Sequence, residues 1–429
     1  MFRLPADPVS PYNVVSVPDR PAWGTGGGSI AERKDRIMQY RSDRNGRPVS
    51  LLGYGCMRFT TKGGQIDIPK AREEIRTAYE AGVTYFDTAY TYPGSEEALG
   101  EILSSLGIRD RVSVATKLPH YLVRTPESIE KYFTEELRRL RTDHVDYYLL
   151  HMLTDVQTWE RLCSLGIEEW IAEKKRSGKI KNIGFSYHGN ADMFIRLLDA
   201  YDWDFCQIQY NYMDEHSQAG RTGLLYAAEK GLPVIIMEPL RGGRLADRLP
   251  ADAMEKIASY PIRRSPAEWA FRWLYDQKEV TCVLSGMNSV GMVEENARVA
   301  SEASAGCMTE EERALITELR DCINKKIRVG CTGCRYCMPC PHNVDIPGTF
   351  SAYNRIGTDG FKVAFKEYFM CVMLRKQYAG PFNCIGCGIC EKRCPQGIGI
   401  RKELKNARRA LEPLPVRLMG KILPHFMKY

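Results

Sequence analysis

The sequence predicts an α/β protein built on a (β/α)8 barrel, followed by a smaller, mostly helical domain. Eight short runs rich in β-forming residues alternate with amphipathic helical stretches, and eight such units in about 250 residues suit a closed barrel better than a doubly wound open sheet. No Gly-x-Gly-x-x-Gly motif follows the first run, which also disfavours a nucleotide-binding open sheet. Clustered cysteines after residue 330 lie outside this alternation of strands and helices and predict a separate domain.

Composition limits the class of protein. The chain has 429 residues, with 44% hydrophobic and 26% charged residues, as in soluble globular proteins. No apolar run reaches the roughly 20 residues that a membrane-spanning helix needs. The net charge of +7 is concentrated in residues 401–429, and the nearly neutral remainder argues against nucleic-acid binding. Since no secretory signal is apparent, we expect a cytoplasmic protein without a membrane span.

The first barrel elements can be placed in order. Residues 1–37, with several prolines and a glycine run, are predicted to form a flexible extension. Asn45-Gly46 then lies between residues 39–41 and 47–50, which predicts a β-hairpin that closes the bottom of the barrel. The barrel domain itself is predicted over residues 38–300, with a first helix over residues 69–81. Its strands are predicted at residues 51–57, 84–88, 112–116, 145–151, 180–186, 205–210, 234–239 and 280–286.

Polar residues follow three consecutive predicted strands. Asp87 ends the second strand, Tyr92 lies on the Pro/Gly loop after it, Lys117 follows the third strand and His151 the fourth. Ser95 is the predicted cap of the next helix. The carboxyl ends of barrel strands meet at one mouth, so these side chains are expected to converge. A Lys–Asp pair would hold a cation beside the tyrosine and lower its pKa, while the histidine orients a substrate oxygen.

Over residues 38–300 the chain resembles the aldo-keto reductase family. The resemblance is carried by Gly55-Cys56-Met57-Arg58, Phe86-Asp87-Thr88-Ala89 with Tyr92, Ala115-Thr116-Lys117, Asp146-Tyr147-Tyr148-Leu149-Leu150-His151, Ile183-Gly184-Phe185-Ser186, Gln207-Ile208-Gln209-Tyr210-Asn211, Glu238-Pro239-Leu240 and Glu295-Asn296.

The resemblance implies hydride transfer between a nicotinamide dinucleotide and a small carbonyl or alcohol substrate. Its implied catalytic tetrad is Asp87, Tyr92, Lys117 and His151, with Tyr92 as the acid/base. Ser186 and Gln207 would hold the carboxamide, and Glu295 and Asn296 the adenine. The implied dinucleotide site is completed by Glu238, Leu240, Gly243 and Gly286.

Three departures from the family pattern concern the dinucleotide. Tyr187 stands where the family often has asparagine, and Met237 where a tyrosine commonly stacks on the nicotinamide. The loop of residues 286–289 brings no cation to the 2′-phosphate of NADP. Both NADP and NAD therefore stay open as the cofactor.

The cysteines fall into two groups. Seven are scattered, mostly in apolar contexts that predict buried side chains. The other eight form two runs, each ending in Cys-Pro, after a predicted helical linker (residues 301–328, helix 310–325). Two Cys₄ zinc sites are one interpretation, but close triplets ending in Cys-Pro favour two [4Fe-4S] clusters. The runs are Cys331, Cys334, Cys337 and Cys340, and Cys384, Cys387, Cys390 and Cys394.

Residues 329–401 resemble a dicluster ferredoxin domain of the α-helical type, with helices predicted over residues 348–356 and 361–375. The resemblance implies that the fourth cysteine of each run ligates the other cluster. Cys331, Cys334, Cys337 and Cys394 would hold one cluster, and Cys384, Cys387, Cys390 and Cys340 the other. In the basic tail, residues 402–429, a helix is predicted over residues 403–411. This tail could bind an acidic ferredoxin or flavodoxin, or be solvated.

Four functions remain open at this point. The first is an oxidoreductase of the aldo-keto reductase type that carries two clusters. The second is a ferredoxin-linked protein that passes single electrons between a redox partner and the barrel mouth, although no flavin motif couples one-electron to two-electron chemistry. In the third, the clusters are structural or redox-sensing and the barrel works alone. The fourth is a nicotinamide sensor without activity, which the complete tetrad disfavours.

Overall fold

A computed structural model describes residues 37–412, except 154, 189, 190, 217, 332, 334, 359, 374–377 and 395. All but Ile37 of the predicted extension, and the tail after Glu412, lie outside the described residues. The described chain divides into two compact units. The first contains the residues up to Pro239 together with Glu268–Met308, and the second contains Leu240–Ala267 and the residues from Thr309 onward. The domain boundaries expected from the sequence stay predictions.

The first unit is a closed barrel of eight parallel strands, as predicted. Around the barrel the order is β10-β11-β12-β3-β6-β7-β8-β9, so that consecutive barrel strands are neighbours and β12 closes against β3. The strands of the protein are β1 (Tyr40–Ser42), β2 (Pro48–Ser50), β3 (Leu52–Gly55), β4 (Thr61–Lys62), β5 (Gln65–Ile66), β6 (Tyr85–Asp87), β7 (Ser113–Leu118), β8 (Val145–Leu150), β9 (Ile180–Tyr187), β10 (Phe205–Gln209), β11 (Val234–Met237) and β12 (Val280–Ser285).

Helices follow the barrel strands because each connection between parallel strands must cross back over the outside of the sheet. Their apolar stripes alternate with charged faces, which places one face against the strands and the other in solvent. The helices up to residue 301 are α1 (Ile68–Glu80), α2 (Ser95–Leu106), α3 (Pro126–Leu140), α4 (Val156–Cys163), α5 (Ile167–Arg176), α6 (Ala191–Ala200), α7 (Gly220–Glu229), α8 (Arg244–Asp247), α9 (Ala251–Ser259), α10 (Pro266–Tyr275) and α11 (Val290–Ser301). Of these, α8 and α9 belong to the second unit and not to the barrel unit.

The hairpin β1–β2 covers the amino-terminal end of the barrel, as predicted. Val49 of β2 packs into the apolar cluster inside the barrel, beside Tyr147 and Leu149. The Tyr147 hydroxyl donates a hydrogen bond to Asp43 Oδ2 at 2.8 Å. The barrel is therefore closed at this end, which leaves its carboxyl end for the site.

The second unit is mostly helical. Its apolar core includes Val344, Phe350, Tyr368 and Leu404, and most described cysteines of the two runs pack against that core. The hydroxyls of Tyr368 and Tyr378 both donate to Glu412. Besides α8 and α9, it contains α12 (Glu310–Lys326), α13 (Ile346–Thr358), α14 (Phe361–Tyr368), a π-helical turn (Phe369–Met373), α15 (Ile389–Lys392) and α16 (Ile400–Leu411).

The predicted helices agree with these bounds, although α13 and α16 begin earlier than expected and the helix predicted over residues 361–375 changes to π geometry after Tyr368. Cys56, Cys206, Cys282 and Cys322 are buried as predicted. Cys307 is exposed, so the expectation of a buried side chain is wrong there. Within the described residues, no helix is both long and apolar enough to cross a membrane.

Candidate active site

Three of the four residues of the predicted tetrad lie at the carboxyl ends of three neighbouring strands. Asp87 is the last residue of β6, Lys117 lies near the end of β7, and His151 directly follows β8. Because β6, β7 and β8 pair in parallel register, their ends reach the same rim of the barrel. Tyr92 joins them from the loop between β6 and α2.

The ammonium group of Lys117 is buried in an ion pair. Its Nζ donates to Asp87 Oδ1 and to the Thr88 carbonyl oxygen, both at 2.6 Å. The two side chains are 1% and 5% exposed. Burial lowers the pKa of Lys117, but Asp87 and the neighbouring phenol of Tyr92 raise it more, so the amine stays charged. A buried pair of this kind adds little net stability, which makes its location at the barrel mouth a sign of chemistry.

Tyr92 is half-buried next to this cation. Lys117 Nζ lies 5.2 Å from the centroid of the Tyr92 ring. The sequence led us to expect a lowered tyrosine pKa. Burial instead raises the pKa of Tyr92 above its ordinary value, and the opposing effect of Lys117 does not cancel that rise. The expectation was wrong in sign because it counted the cation and not the desolvation of the phenolate.

His151 contacts Tyr92 edge to face, with ring centroids 5.9 Å apart. Its Nδ1 lies 3.4 Å from Thr91 Oγ1, and the ring of Tyr121 is 6.3 Å away. Burial, and next the charge of Lys117, lower the pKa of His151 to about 3. The imidazole is therefore neutral near pH 7 and can offer one ring N–H to a substrate oxygen.

Ser95 is not the cap of the helix after Tyr92, contrary to our expectation. It is the first residue of α2, and Gly94, with a φ of 70°, occupies the cap position. The Ser95 hydroxyl instead donates to the Cys56 carbonyl oxygen at 3.0 Å and lies 2.8 Å from Thr88 Oγ1. It thereby ties the tyrosine loop to the loop after β3.

Ser186 and Gln207, the predicted carboxamide ligands, are register partners on β9 and β10. Ser186 Oγ accepts a hydrogen bond from the Met152 N–H at 2.8 Å, and Gln207 Nε2 lies 3.5 Å from the sulfur of Met237. Gln207 Oε1 is buried and has no hydrogen-bond partner among the described residues. Such an acceptor suits the amide N–H₂ of a nicotinamide, since buried polar atoms are normally paired.

The other residues predicted to bind the dinucleotide are divided between the two units. Asn296 and Glu295 lie on α11, where Asn296 Nδ2 donates to Ser285 Oγ at 3.1 Å. Gly286 follows β12, and Glu238 follows β11 with a left-handed φ of 56°. Leu240 and Gly243 belong to the second unit, where Gly243 caps α8. Tyr187, one of the departures from the family pattern, packs on Phe194 with ring centroids 5.1 Å apart.

Arg58 is a candidate residue to which sequence reasoning assigned no role. It lies in the 3-10 turn after β3, and a β-carbon placed on Gly286 would lie 2.9 Å from its Cδ. Its side chain thus lies against the loop of residues 286–289, which has no cationic residue of its own. Arg58 is exposed and has no hydrogen bond or ion pair within the described part of the chain. The sequence shows that Arg58 belongs to the Gly55–Arg58 motif. It does not show the contact with Gly286, because the two loops are distant in sequence.

The described cysteines of the two runs surround two cavities of about 20 Å³ each. Each cavity is lined by cysteines from both runs. Among the described residues, no three His, Cys, Asp or Glu side chains group around a single metal-ion position. Cys334 lies outside the described residues. The first cavity is lined by Cys331, Cys337 and Cys394, and the second by Cys337, Cys340, Cys384, Cys387 and Cys390.

Comparison with known protein families matches residues 51–319 to the aldo/keto reductase family and residues 330–398 to a 4Fe-4S dicluster domain. The fold and the site thus define a barrel oxidoreductase with an attached iron–sulfur domain. The chain belongs to the aldo/keto reductase family.

Individual relatives match about two thirds of the chain. L-galactose dehydrogenase of Arabidopsis thaliana is 28% identical over 288 residues, which are 62% of this chain and 89% of that protein. An aldo-keto reductase of Schizosaccharomyces pombe whose name specifies NADP(+) is 24% identical over 323 residues, 66% of this chain and 88% of that protein. The holo structure of an aldo-keto reductase from Bacillus halodurans is 28% identical with a TM-score of 0.55, and the match covers 66% of this chain and 96% of that one.

Proposed function

We propose that the barrel catalyses hydride transfer between NADPH or NADH and a small carbonyl or alcohol substrate, with Tyr92 as the acid/base. The observation that carries this proposal is the buried Lys117 ammonium, held by Asp87 Oδ1 at 2.6 Å and lying beside the Tyr92 ring. A charge fixed in a desolvated position is the arrangement that stabilises charge developing during a reaction. The names of the relatives, a dehydrogenase and an NADP(+)-specific aldo-keto reductase, support the same reaction class.

The proton steps follow from the site. A bound reduced dinucleotide supplies the hydride to the carbonyl carbon. Neutral His151 donates a hydrogen bond to the carbonyl oxygen and orients it, and Tyr92 transfers its phenolic proton to that oxygen as the C=O bond becomes an alcohol C–O bond. Lys117 stabilises the resulting phenolate, which regains its proton from solvent. Alcohol oxidation runs through the reverse transfers.

The pH dependence follows from the pKa shifts of Tyr92 and His151. Tyr92 must be protonated to act as an acid, and its pKa is raised above 10, so reduction is lost only as the pH rises through that value. His151, with a pKa of about 3, stays neutral as the pH falls through 6.5. We expect kcat/KM for carbonyl reduction to stay constant between about pH 5 and 9. An inflection near pH 6.5 that disappears in His151→Gln would contradict a buried, neutral histidine.

We propose that Arg58 supplies the cation for the 2′-phosphate that the loop of residues 286–289 lacks. Arg58→Met is then expected to weaken NADPH binding at least about tenfold, a loss of about 1.4 kcal/mol, with little effect on NADH. Fluorescence titration of both cofactors measures this difference. Arg47→Met, on the hairpin at the opposite end of the barrel, is the matched control because Arg47 is also exposed. Equal losses for NADPH and NADH would instead assign Arg58 to the shared part of the dinucleotide.

We propose further that the two cysteine-lined cavities hold two [4Fe-4S] clusters. Cys331, Cys334, Cys337 and Cys394 hold the first, and Cys384, Cys387, Cys390 and Cys340 the second. Support comes from the first cavity, where Cys394 of the second run lines the same space as Cys331 and Cys337 of the first. Cysteines of both runs around one space suit a cubane with crossed ligands, whereas the ligands of zinc converge to about 2.3 Å from one ion.

Electron transfer with a ferredoxin or flavodoxin is the second candidate function. It is favoured by the surface beside the second cavity, where Cys387 is exposed and Ile385 is 68% exposed. An exposed cluster edge is what single-electron exchange with a partner protein needs. Paramagnetic resonance of the anaerobic protein mixed with NADPH or NADH separates the candidates. Cluster reduction by either cofactor supports electron relay, whereas carbonyl reductase activity without a cluster signal supports clusters that are structural.

A cytoplasmic location stays a prediction.

A further inference from the structure

The second unit contains a larger cavity, of about 220 Å³, that the proposed function does not use. It lies between the segment around α8, the end of α12, the start of the first cysteine run and α13. None of the residues predicted to bind the dinucleotide lines it. Its volume is below the 300–1,000 Å³ usual for drug-sized ligands, which limits it to small molecules.

The lining of this cavity is strongly cationic. Arg241, Arg244 and Arg248 approach from the segment around α8, and Arg355 from α13. None of the described residues that line it is Asp or Glu. Each guanidinium carries five N–H donors in a planar fork that matches carboxylate and phosphate oxygens. The chemistry of the lining therefore selects oxyanions.

The rest of the lining includes apolar side chains and a backbone segment that is fixed by hydrogen bonds. Leu245, Ile323 and Ile327 contribute an apolar wall to the cavity. Asn354 Oδ1 accepts hydrogen bonds from the N–H groups of Arg328 and Val329, and its Nδ2 donates to the Val329 carbonyl oxygen at 2.7 Å. These bonds fix the backbone that leads into the cysteine run. The cavity thus combines arginines from two segments of the chain with an apolar wall.

We propose that this cavity binds a small organic dianion, with one oxyanionic group on the arginines around α8 and the other on Arg355. The anionic groups are phosphate or carboxylate, and the carbon skeleton between them lies on the apolar wall. Arg241 and Arg244 are chain neighbours of Leu240 and Gly243, which are predicted to bind the dinucleotide, so competition with NADPH is part of the test. Cys331 also lines the cavity. A ligand bound here lies beside a proposed cluster ligand, and its occupancy does not depend on Tyr92 chemistry.

Calorimetry on the full-length, anaerobically purified protein tests the proposal, with succinate as a dicarboxylate probe and phosphoglycolate as a phosphate-bearing one. We expect at least one probe to bind, and Arg355→Gln and Arg244→Gln each to weaken its binding at least tenfold. Lys402→Gln is the matched control, because it removes the same charge from an exposed position on α16 outside the cavity. Tighter binding of succinate would indicate a carboxylate ligand, and tighter binding of phosphoglycolate would indicate a phosphate ligand.

Three results would overturn the proposal. They are the absence of binding of both probes, an equal loss of binding in Lys402→Gln, and loss of probe binding in the presence of saturating NADPH. The last result would show that the arginines serve the dinucleotide. Arg244 is distant in sequence from the cysteine runs, so Arg244→Gln keeps the test decisive if Arg355→Gln loses iron.

Discussion

Tyr92→Phe is expected to lower kcat for carbonyl reduction by about 10²- to 10⁴-fold, the contribution usual for a general acid. The substitution removes only the phenolic oxygen and leaves the ring contact with His151, whose centroid is 5.9 Å away. Dinucleotide binding should be retained, because the residues proposed for the carboxamide lie on β9 and β10. Steady-state kinetics with NADPH and NADH, together with fluorescence titration of each cofactor, measures both effects.

Tyr90→Phe is the matched control for this experiment. Tyr90 lies on the same loop, but its ring packs on Tyr132, with centroids 5.0 Å apart, and not on the ion pair. Its substitution should leave kcat within about threefold of the parent value. Turnover that survives in Tyr92→Phe, or falls equally in both variants, would show that Tyr92 is not the acid.

The paired variants Cys331→Ala/Cys394→Ala and Cys384→Ala/Cys394→Ala should differ strongly in iron content. If the fourth cysteine of each run ligates the other cluster, Cys331 and Cys394 serve one cluster. Their joint loss should leave about four of about eight iron atoms per chain. The second pair removes a ligand from each cluster, and nearly all iron should be lost. Iron and sulfide analysis after anaerobic purification measures both.

The reverse pattern would show that each run holds its own cluster. Zinc in place of iron in the unsubstituted protein would remove the cluster proposal altogether. Cys307→Ala is the control, because this exposed thiol lies outside both runs and its loss should leave the metal content unchanged.

The fold was predictable because its signals are local. Each barrel strand is a short run of β-forming residues bounded by turn residues, and each helix carries an apolar stripe. The spacing of apolar residues and the length of each segment therefore distinguish strands from helices. Parallel strands also place their carboxyl ends together, which allowed Asp87, Lys117 and His151 to be grouped before any distance was known. The cysteine spacing was equally local and predicted a cluster domain.

What the sequence determined by itself was therefore the barrel, the residue types at its mouth and the cysteine runs. Only the tertiary structure decided whether burial or neighbouring charge has the larger effect on the pKa values of those residues. Burial is a property of the whole fold, so the raised pKa of Tyr92 could not be judged from the nearby charge of Lys117. The contact of Arg58 with Gly286, and the four arginines around one cavity, likewise join segments far apart in the chain. Spacing along the sequence carries no information about such contacts, because chain folding alone brings them together.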